Sequence, residues 1–357
     1  MRILILPGDG IGPEITQATR TALEALDCHL KLNLELIEAR IGLAALAAEG
    51  TTLPAEVITR AQQVDGIVLG PVSTFEYPPR EQGGLNPSAE IRKRLDLFAN
   101  IRPSRARTGV PSKAADMDLV VVRENTEGFY ADRNMYLGSG EFQPSPDIAI
   151  AMRKISVHGC QRIATTALEL AQRRRKLVTM VHKANVLKVS DGLFRREVQQ
   201  TAERFSDVKL DEMLIDATAA MLIRKPDAFD VLVTTNMYGD ILSDEAAELA
   251  GGLGLAAALN AGDKHAVAQA VHGSAPDIAG RGIANPTALM LSTAMLLDWL
   301  GVRYKHDALV KAAAHLDAAI DTVLTDSSAH TPDLGGNAST DEFSESLVRA
   351  IEKMEVR

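Results

Sequence analysis

Aromatic side chains are scarce in this chain. They make up 4% of 357 residues, too few to suggest the stacking platforms on which single-stranded nucleic acids lie. Basic charge is also in deficit, with 38 Lys and Arg against 47 Asp and Glu. The net charge of −9 opposes binding to nucleic acid and to anionic membrane surfaces. Cysteine is nearly absent: Cys28 and Cys160 lie far apart, outside any metal or redox spacing, and read as reduced buried thiols of a cytoplasmic protein. No apolar run reaches the ~18 residues of a membrane span. The strongest candidate, Ala288 to Leu300, is interrupted by Ser292, Thr293 and Asp298 and reads as a buried or interface helix. The apolar start, Met1 to Pro7, meets Gly8 and Asp9 at once and reads as a first strand rather than a secretory leader. What remains is a small-molecule partner, and an anionic one has to be drawn in by a local basic cluster.

The hydrophobic content of 46% is enough for a substantial core, and the length suits two lobes or one large α/β unit. Strand-like runs at Arg2 to Leu6, Gly66 to Leu69, Asp118 to Val122, Leu177 to His182 and Asp230 to Thr234 alternate with helical patterns, which means α/β architecture. After Pro13, which suits a first helical turn, Ile15, Ala18, Ala22, Leu23 and Leu26 recur at helical spacing. The Pro- and Gly-rich stretch Tyr77 to Pro87 reads as a mobile surface loop.

Three groups of residues carry chemistry. Gly8-Asp9-Gly10-Ile11-Gly12 sits between a strand and a helix, but its third glycine comes one residue too early for a Rossmann fingerprint; a tight structural turn is the better reading. Asp240 and Asp244 share a helix face, where like charges cost roughly 0.2–0.5 kcal/mol. A bound Mg²⁺ or Mn²⁺ would remove the repulsion, with Asp216 as a third hard ligand, although a solvated acidic face is the commoner reason for such a pair. Arg102, between Ile101 and Pro103, and Arg123, directly after Val120 to Val122, emerge from apolar segments, and a buried arginine needs an anion. Together with Arg92 and Lys183 they suit a substrate with two or three carboxylates.

These residues lie in a series of motifs that resembles the β-decarboxylating dehydrogenases, the family of isocitrate, homoisocitrate, isopropylmalate, D-malate and tartrate dehydrogenases. The markers stand in family order along nearly the whole chain: PGDGIGPE at Pro7 to Glu14, LDLFANIRP at Leu95 to Pro103, RENTEGFY at Arg123 to Tyr130, HKANVLK at His182 to Lys188, GDILSD at Gly239 to Asp244, HGSAPDIAGRGIANP at His272 to Pro286 and TPDLGG at Thr331 to Gly336. The resemblance implies a two-lobed α/β fold distinct from the classical Rossmann fold. Residues 1–98 and 250–357 would form the cofactor lobe, and residues 99–249 the lobe with the metal ligands and the interface of a homodimer.

By the same resemblance, Arg92, Arg102 and Arg123 grip the malate carboxylates, Asp216, Asp240 and Asp244 hold the metal, Lys183 is the base and Tyr130 the acid. Lys183 and Asp216 would enter the active site of the partner subunit, so that the sites are shared. Cations near Lys183 would lower its pKa. His272, Gly273, Ser274, Ala275, Asp277, Ile278, Asn285 and Asp333 correspond to the adenosine pocket, with Asn185 on the nicotinamide side. Asp277 can accept from both ribose hydroxyls and would repel a 2′-phosphate, which favours NAD; NADP-using isocitrate enzymes carry lysine and tyrosine where this chain has Asp277 and Ile278. The segment Asn86 to Ile91 lacks the leucine pair that isopropylmalate enzymes offer to an isopropyl group, a loss of roughly 0.8 kcal/mol per buried CH₂. Asn86 and Ser88 would instead hydrogen-bond a third carboxylate, as in isocitrate or homoisocitrate, whereas Glu90 would repel one. 3-Isopropylmalate, D-malate and tartrate remain alternatives, and a non-catalytic regulatory subunit of an isocitrate dehydrogenase is a more distant one.

Overall fold

The computed structural model of the chain describes residues 1–129, 135 and 138–355. In chain order its elements are β1 (Arg2–Leu6), α1 (Gly12–Leu30), β2 (Glu35–Glu38), α2 (Gly42–Glu49), α3 (Ala55–Ala61), β3 (Gly66–Leu69), α4 (Pro87–Arg94), β4 (Ala99–Arg105) and β5 (Asp118–Glu124). There follow β6 (Glu141–Ser145), β7 (Ile148–Ala151), α5 (Val157–Gln172), β8 (Leu177–His182), α6 (Ser190–Ala202), β9 (Lys209–Leu214), α7 (Ile215–Arg224), β10 (Val231–Thr234) and α8 (Asn236–Ala250). The last elements are β11 (Leu259–Ala261), β12 (Ala266–Ala268), α9 (Thr287–Tyr304), α10 (Asp307–Leu324) and α11 (Thr340–Lys353).

Two compact units divide the chain. The first comprises Met1–Asp96, Arg107–Ser112 and Gly251–Arg357, and the second comprises Leu97–Ala106 and Lys113–Ala250. The short return of Arg107–Ser112 to the first unit is not foreshadowed in the sequence. It is fixed there by Arg107, whose guanidinium is bonded to Asp317, at 2.7 Å, and to Asp321 on α10.

In the first unit the strands run in the order β2-β1-β3-β12-β11, parallel from β2 to β12, with Ile3 opposite Gly66 and Val267 opposite Ile67. Strand β1 is apolar along Ile3 to Leu6 because both faces of a parallel sheet are covered. Helix α1 buries Ile15, Ala18, Ala22, Leu23 and Leu26, the residues whose spacing announced it, and α9 is buried almost all round over Thr287 to Leu297. Since β1, β3 and β12 are parallel, the segments that follow them leave from the same, carboxyl edge.

The second unit repeats the scheme in the order β4-β5-β10-β8-β9, with β4 antiparallel to β5 and the others parallel. The period of two in β5 divides two cores. Val120 and Val122 pack with Ile163, Leu168, Phe194 and Val198 of α5 and α6, whereas Leu119 and Val121 pack with Leu242 and Ala246 of α8. Strands β6 and β7 form a separate antiparallel pair.

Three expectations need correction. Strands β2 and β9 were not legible, because Glu35–Glu38 and Lys209–Leu214 carry charges in place of a continuous apolar run. Cys28, expected to be a buried thiol like Cys160, is exposed. The stretch expected to be a mobile loop is stapled: Tyr77 donates to Asp9, and Thr52 accepts from Leu85 N at 2.8 Å and donates to Leu85 O at 2.6 Å.

Gly109 tests the return segment. Its φ of +90° disfavours other residues, and a Cβ there would lie 2.1 Å from Leu324 O. Gly109→Ala is expected to destabilise the protein by about 1–3 kcal/mol in urea unfolding.

Candidate active site

At the carboxyl edge of the second unit, Arg123 leaves β5 with 2% of its surface exposed. Its Nε and Nη2 lie 3.0 and 2.6 Å from Asn236 Oδ1, and its Nη1 is bonded to Asp240. Arg102, from the antiparallel neighbour β4, sends Nη1 to Asp240 at 3.2 Å, Asp244 at 3.1 Å and Ser243 Oγ at 2.8 Å. The first turns of α8 therefore carry two carboxylates on one face, both answered by guanidinium groups. Burial raises the pKa of Asp244; the Arg102 and Arg123 charges oppose this, and those of Asp240 and Glu248 add to it.

Lys183 follows β8 and is bonded to Asp216 in the first turn of α7. That bond holds Asp216 below the usual carboxylate range. The cations expected beside Lys183 are thus replaced, within one chain, by a carboxylate. Asp216 does not join Asp240 and Asp244: among the described residues no three His, Cys, Asp or Glu side chains form a group able to hold a metal ion. The hard oxygen donors suit Mg²⁺ or Mn²⁺ in kind, with two of them on α8 and the third placed elsewhere. Asn185 is exposed on the turn after Lys183, and Tyr130 lies outside the described residues.

In the first unit, the segment His272 to Asn285 follows β12 at the carboxyl edge. Gly273 and Asp277 are exposed, His272, Ala275 and Ile278 half-buried, Ser274 and Asn285 buried. Asn285 donates to Asp333 at 2.9 Å. His272 Nδ1 contacts Gly273 O at 3.0 Å, while its buried Nε2 has no partner among the described residues. Burial lowers the His272 pKa, against the bond to Gly273 O and the charge of Asp333. Ala275 has a φ of +39°, a conformation uncommon for a residue with a side chain. An exposed carboxylate, an orphaned imidazole nitrogen and the open space beside Gly273 fit a ligand with hydroxyl and amino groups, as an adenosine has.

Asn86 and Ser88 serve differently from expectation. Asn86 is the N-cap of α4 and accepts from Ala89 N at 3.0 Å. Ser88 Oγ donates to Gln269 at 2.8 Å and accepts from Arg92 Nη2 at 2.8 Å, so the hydroxyl orients the arginine. Glu90, expected to repel an anion, is neutralised by Arg80 at 3.0 Å and Arg94 at 3.1 Å; burial acts to raise its pKa, but the two guanidinium groups prevail and lower it.

The profile of the isocitrate/isopropylmalate dehydrogenase family matches residues 2–347. The chain belongs to this family. It is 43% identical over 356 residues to an isocitrate/homoisocitrate dehydrogenase of Thermus thermophilus, with 99% of both chains covered. It is 40% identical over 355 residues to a 3-isopropylmalate/3-methylmalate dehydrogenase of Methanocaldococcus jannaschii, with 98% of both covered. The crystal structure of isocitrate dehydrogenase from Methylococcus capsulatus aligns with a TM-score of 0.86 at 36% identity over 99% of both chains. The protein is therefore a dehydrogenase with the α/β fold of this family rather than a classical Rossmann fold.

Several side chains of this family member were missed in sequence. Gln269 completes the chain from Ser88 to Arg92. Asp191 is fully buried, accepts from Lys183 N at 2.6 Å and is paired with Arg153, whose guanidinium lies 5.2 Å from the Tyr238 ring centroid. No local pattern marks Gln269 or the pair of Asp191 and Arg153, whose partners lie 181 and 38 positions away.

The role of Asn86 can be separated by substitution. Asn86→Ala is expected to lose about 0.5–2 kcal/mol of stability and Asn86→Asp almost none, since aspartate caps equally well. Urea unfolding of the two variants checks this.

Proposed function

We propose that this dehydrogenase carries out the NAD- and divalent-metal-dependent oxidative decarboxylation of a 3-substituted (2R)-malate of the isocitrate or homoisocitrate type. The observation that carries this reading is the interleaving of Arg102 and Arg123 with Asp240 and Asp244 at one sheet edge. Guanidinium groups bind carboxylates bidentately, and the two aspartates offer hard oxygens to a cation. When bound, the divalent ion supplies positive charge where the substrate oxygens become negative, and the dinucleotide accepts the hydride.

The chain's own residues divide the remaining work. Arg92, Arg102 and Arg123 hold the carboxylates of the malate core. Lys183 takes the hydroxyl proton, and Tyr130 returns a proton to carbon after CO₂ has left. Asp277 would accept from both ribose hydroxyls, with His272, Gly273, Ser274, Ala275, Ile278, Asn285 and Asp333 around the adenosine and Asn185 near the nicotinamide. The polar chain Arg92, Ser88, Gln269 favours a substrate with a carboxylate at its 3-substituent over one with a branched alkyl group. The relative named isocitrate/homoisocitrate dehydrogenase supports the same choice.

A second copy of the chain completes the site in this reading. Asp216 lies on α7 together with exposed Ile223, while Asp240 and Asp244 lie on α8 together with exposed Met237 and Ile241. A two-fold interface over these faces would bury the apolar residues and exchange Asp216 and Lys183 between subunits. The β6-β7 pair, with Phe142, Ile148 and Ile150 exposed, also needs a cover, since a lone hairpin is marginal in water.

Two measurements test the proposal. NADH formation with Mn²⁺ is expected with isocitrate or homoisocitrate and is abolished by chelator; preference for 3-isopropylmalate would replace the substrate reading, and silence on every hydroxy acid would end it. Lys183→Met and Asp244→Asn are each expected to be inactive, and activity should return when the two are unfolded together and refolded as mixed dimers. No return would show that the sites are not shared.

A further inference from the structure

The turn after β1 fails as a dinucleotide fingerprint, yet it contains a carboxylate that the proposed mechanism does not use. Asp9 is 4% exposed. Its Oδ1 accepts from Leu43 N at 2.7 Å, and its Oδ2 accepts from Ser73 N at 3.0 Å and from the Tyr77 hydroxyl. All of these donors are neutral, so hydrogen bonds alone compensate the buried charge. Each comes from a different part of the first unit: the start of α2, the segment after β3, and the stretch that leads to α4.

What Asp9 fixes is in turn bonded to the segment assigned to adenosine. Ser73 Oγ donates to Ser274 Oγ at 2.8 Å, and Ile11 N donates to Ser274 O at 2.8 Å. Gly10, with φ +58°, lets the turn approach so closely that a Cβ there would lie 2.0 Å from Ser274 O. The next residue is Ala275 with its positive φ, a conformation that persists only where the surroundings over-determine it. Further along, Gly282 N donates to Glu14 at 3.0 Å, so the N-terminal motif grips both ends of the stretch that holds Asp277.

We infer that Asp9 is a positioning residue for the dinucleotide: through Ser73 it sets the backbone of Ser274 and Ala275 and so the seat of the adenosine half, without touching the cofactor itself. The inference rests on the proposed use of His272 to Asn285 as the cofactor segment.

The variants Asp9→Asn, Tyr77→Phe and Ser73→Ala test it in the full-length protein. Aspartate to asparagine keeps the volume but turns an amide NH₂ toward one set of donors. Calorimetric titration with NAD is expected to show binding weakened about tenfold in Asp9→Asn, the scale of one buried unsatisfied donor. The KM for NAD should rise in parallel while the KM for the hydroxy acid stays unchanged, a split that general loosening of the fold would not produce. If Asp9→Asn fails to fold, Ser73→Ala decides: NAD binding weakened about threefold or more supports the inference, and smaller loss overturns it. A folded Asp9→Asn that binds NAD as the wild type does, or that loses affinity for both substrates alike, overturns it too. A wild-type protein that binds neither NAD nor NADP would overturn the proposed function together with this inference, whereas unchanged variants of a binding wild type overturn the inference alone.

Discussion

A guanidinium group at the end of a buried strand has to meet an anion, and Arg123 places that demand at the centre of the second unit. It follows three valines of β5 and lies almost wholly out of solvent. Asn236 and Asp240 meet it from the start of α8, which ties that helix to β5 as firmly as the apolar contacts of Leu242 and Ala246 do. Because a buried guanidinium has given up its hydration against these partners, the strand and the helix cannot drift apart without penalty. Arg102 adds a second cation from β4, so the carboxylates that would receive a metal ion and the arginines that would receive a substrate are held by one another. In the proposed site each would be preorganised by a partner that a ligand replaces.

Both units obey the same topological rule. Parallel strands bring their carboxyl ends to one edge, and residues remote in sequence become neighbours there. The charge economy of the edges differs. In the second unit the buried Asp191, in the first turn of α6, meets Arg153. In the first unit, among the described residues, Asp9 meets only backbone amides and a phenol, and burial raises the pKa of Glu14 against the bond from Gly282. A neutral donor set fixes backbone position without adding cations near the segment proposed to hold the dinucleotide.

The face that α7 and α8 leave open joins the chemistry to assembly. Ile223, Met237 and Ile241 are exposed on the same helices that carry Asp216, Asp240 and Asp244. In the proposed dimer, covering the apolar residues with a second copy and completing the metal site with its carboxylate would be one event.

The sequence by itself determined the α/β class, the main core strands and the family, because apolar runs, helical spacing and contiguous motifs are local signals. The charges of Arg123, Arg102, Asp240 and Asp244 were legible for the same reason: each stands beside an apolar run or at helical spacing from another. Tertiary structure alone decided which of them are bonded to which, that Ser88 spends its hydroxyl on Arg92 and Gln269, that Asn86 caps a helix, and that the stretch from Tyr77 to Pro87 is stapled to Asp9 and Thr52. The bonds of Ser88 to Gln269 and of Tyr77 to Asp9 join residues 181 and 68 positions apart. Local pattern cannot encode them, because a hydrogen bond is set by where the strands end in space and not by the spacing of its partners along the chain.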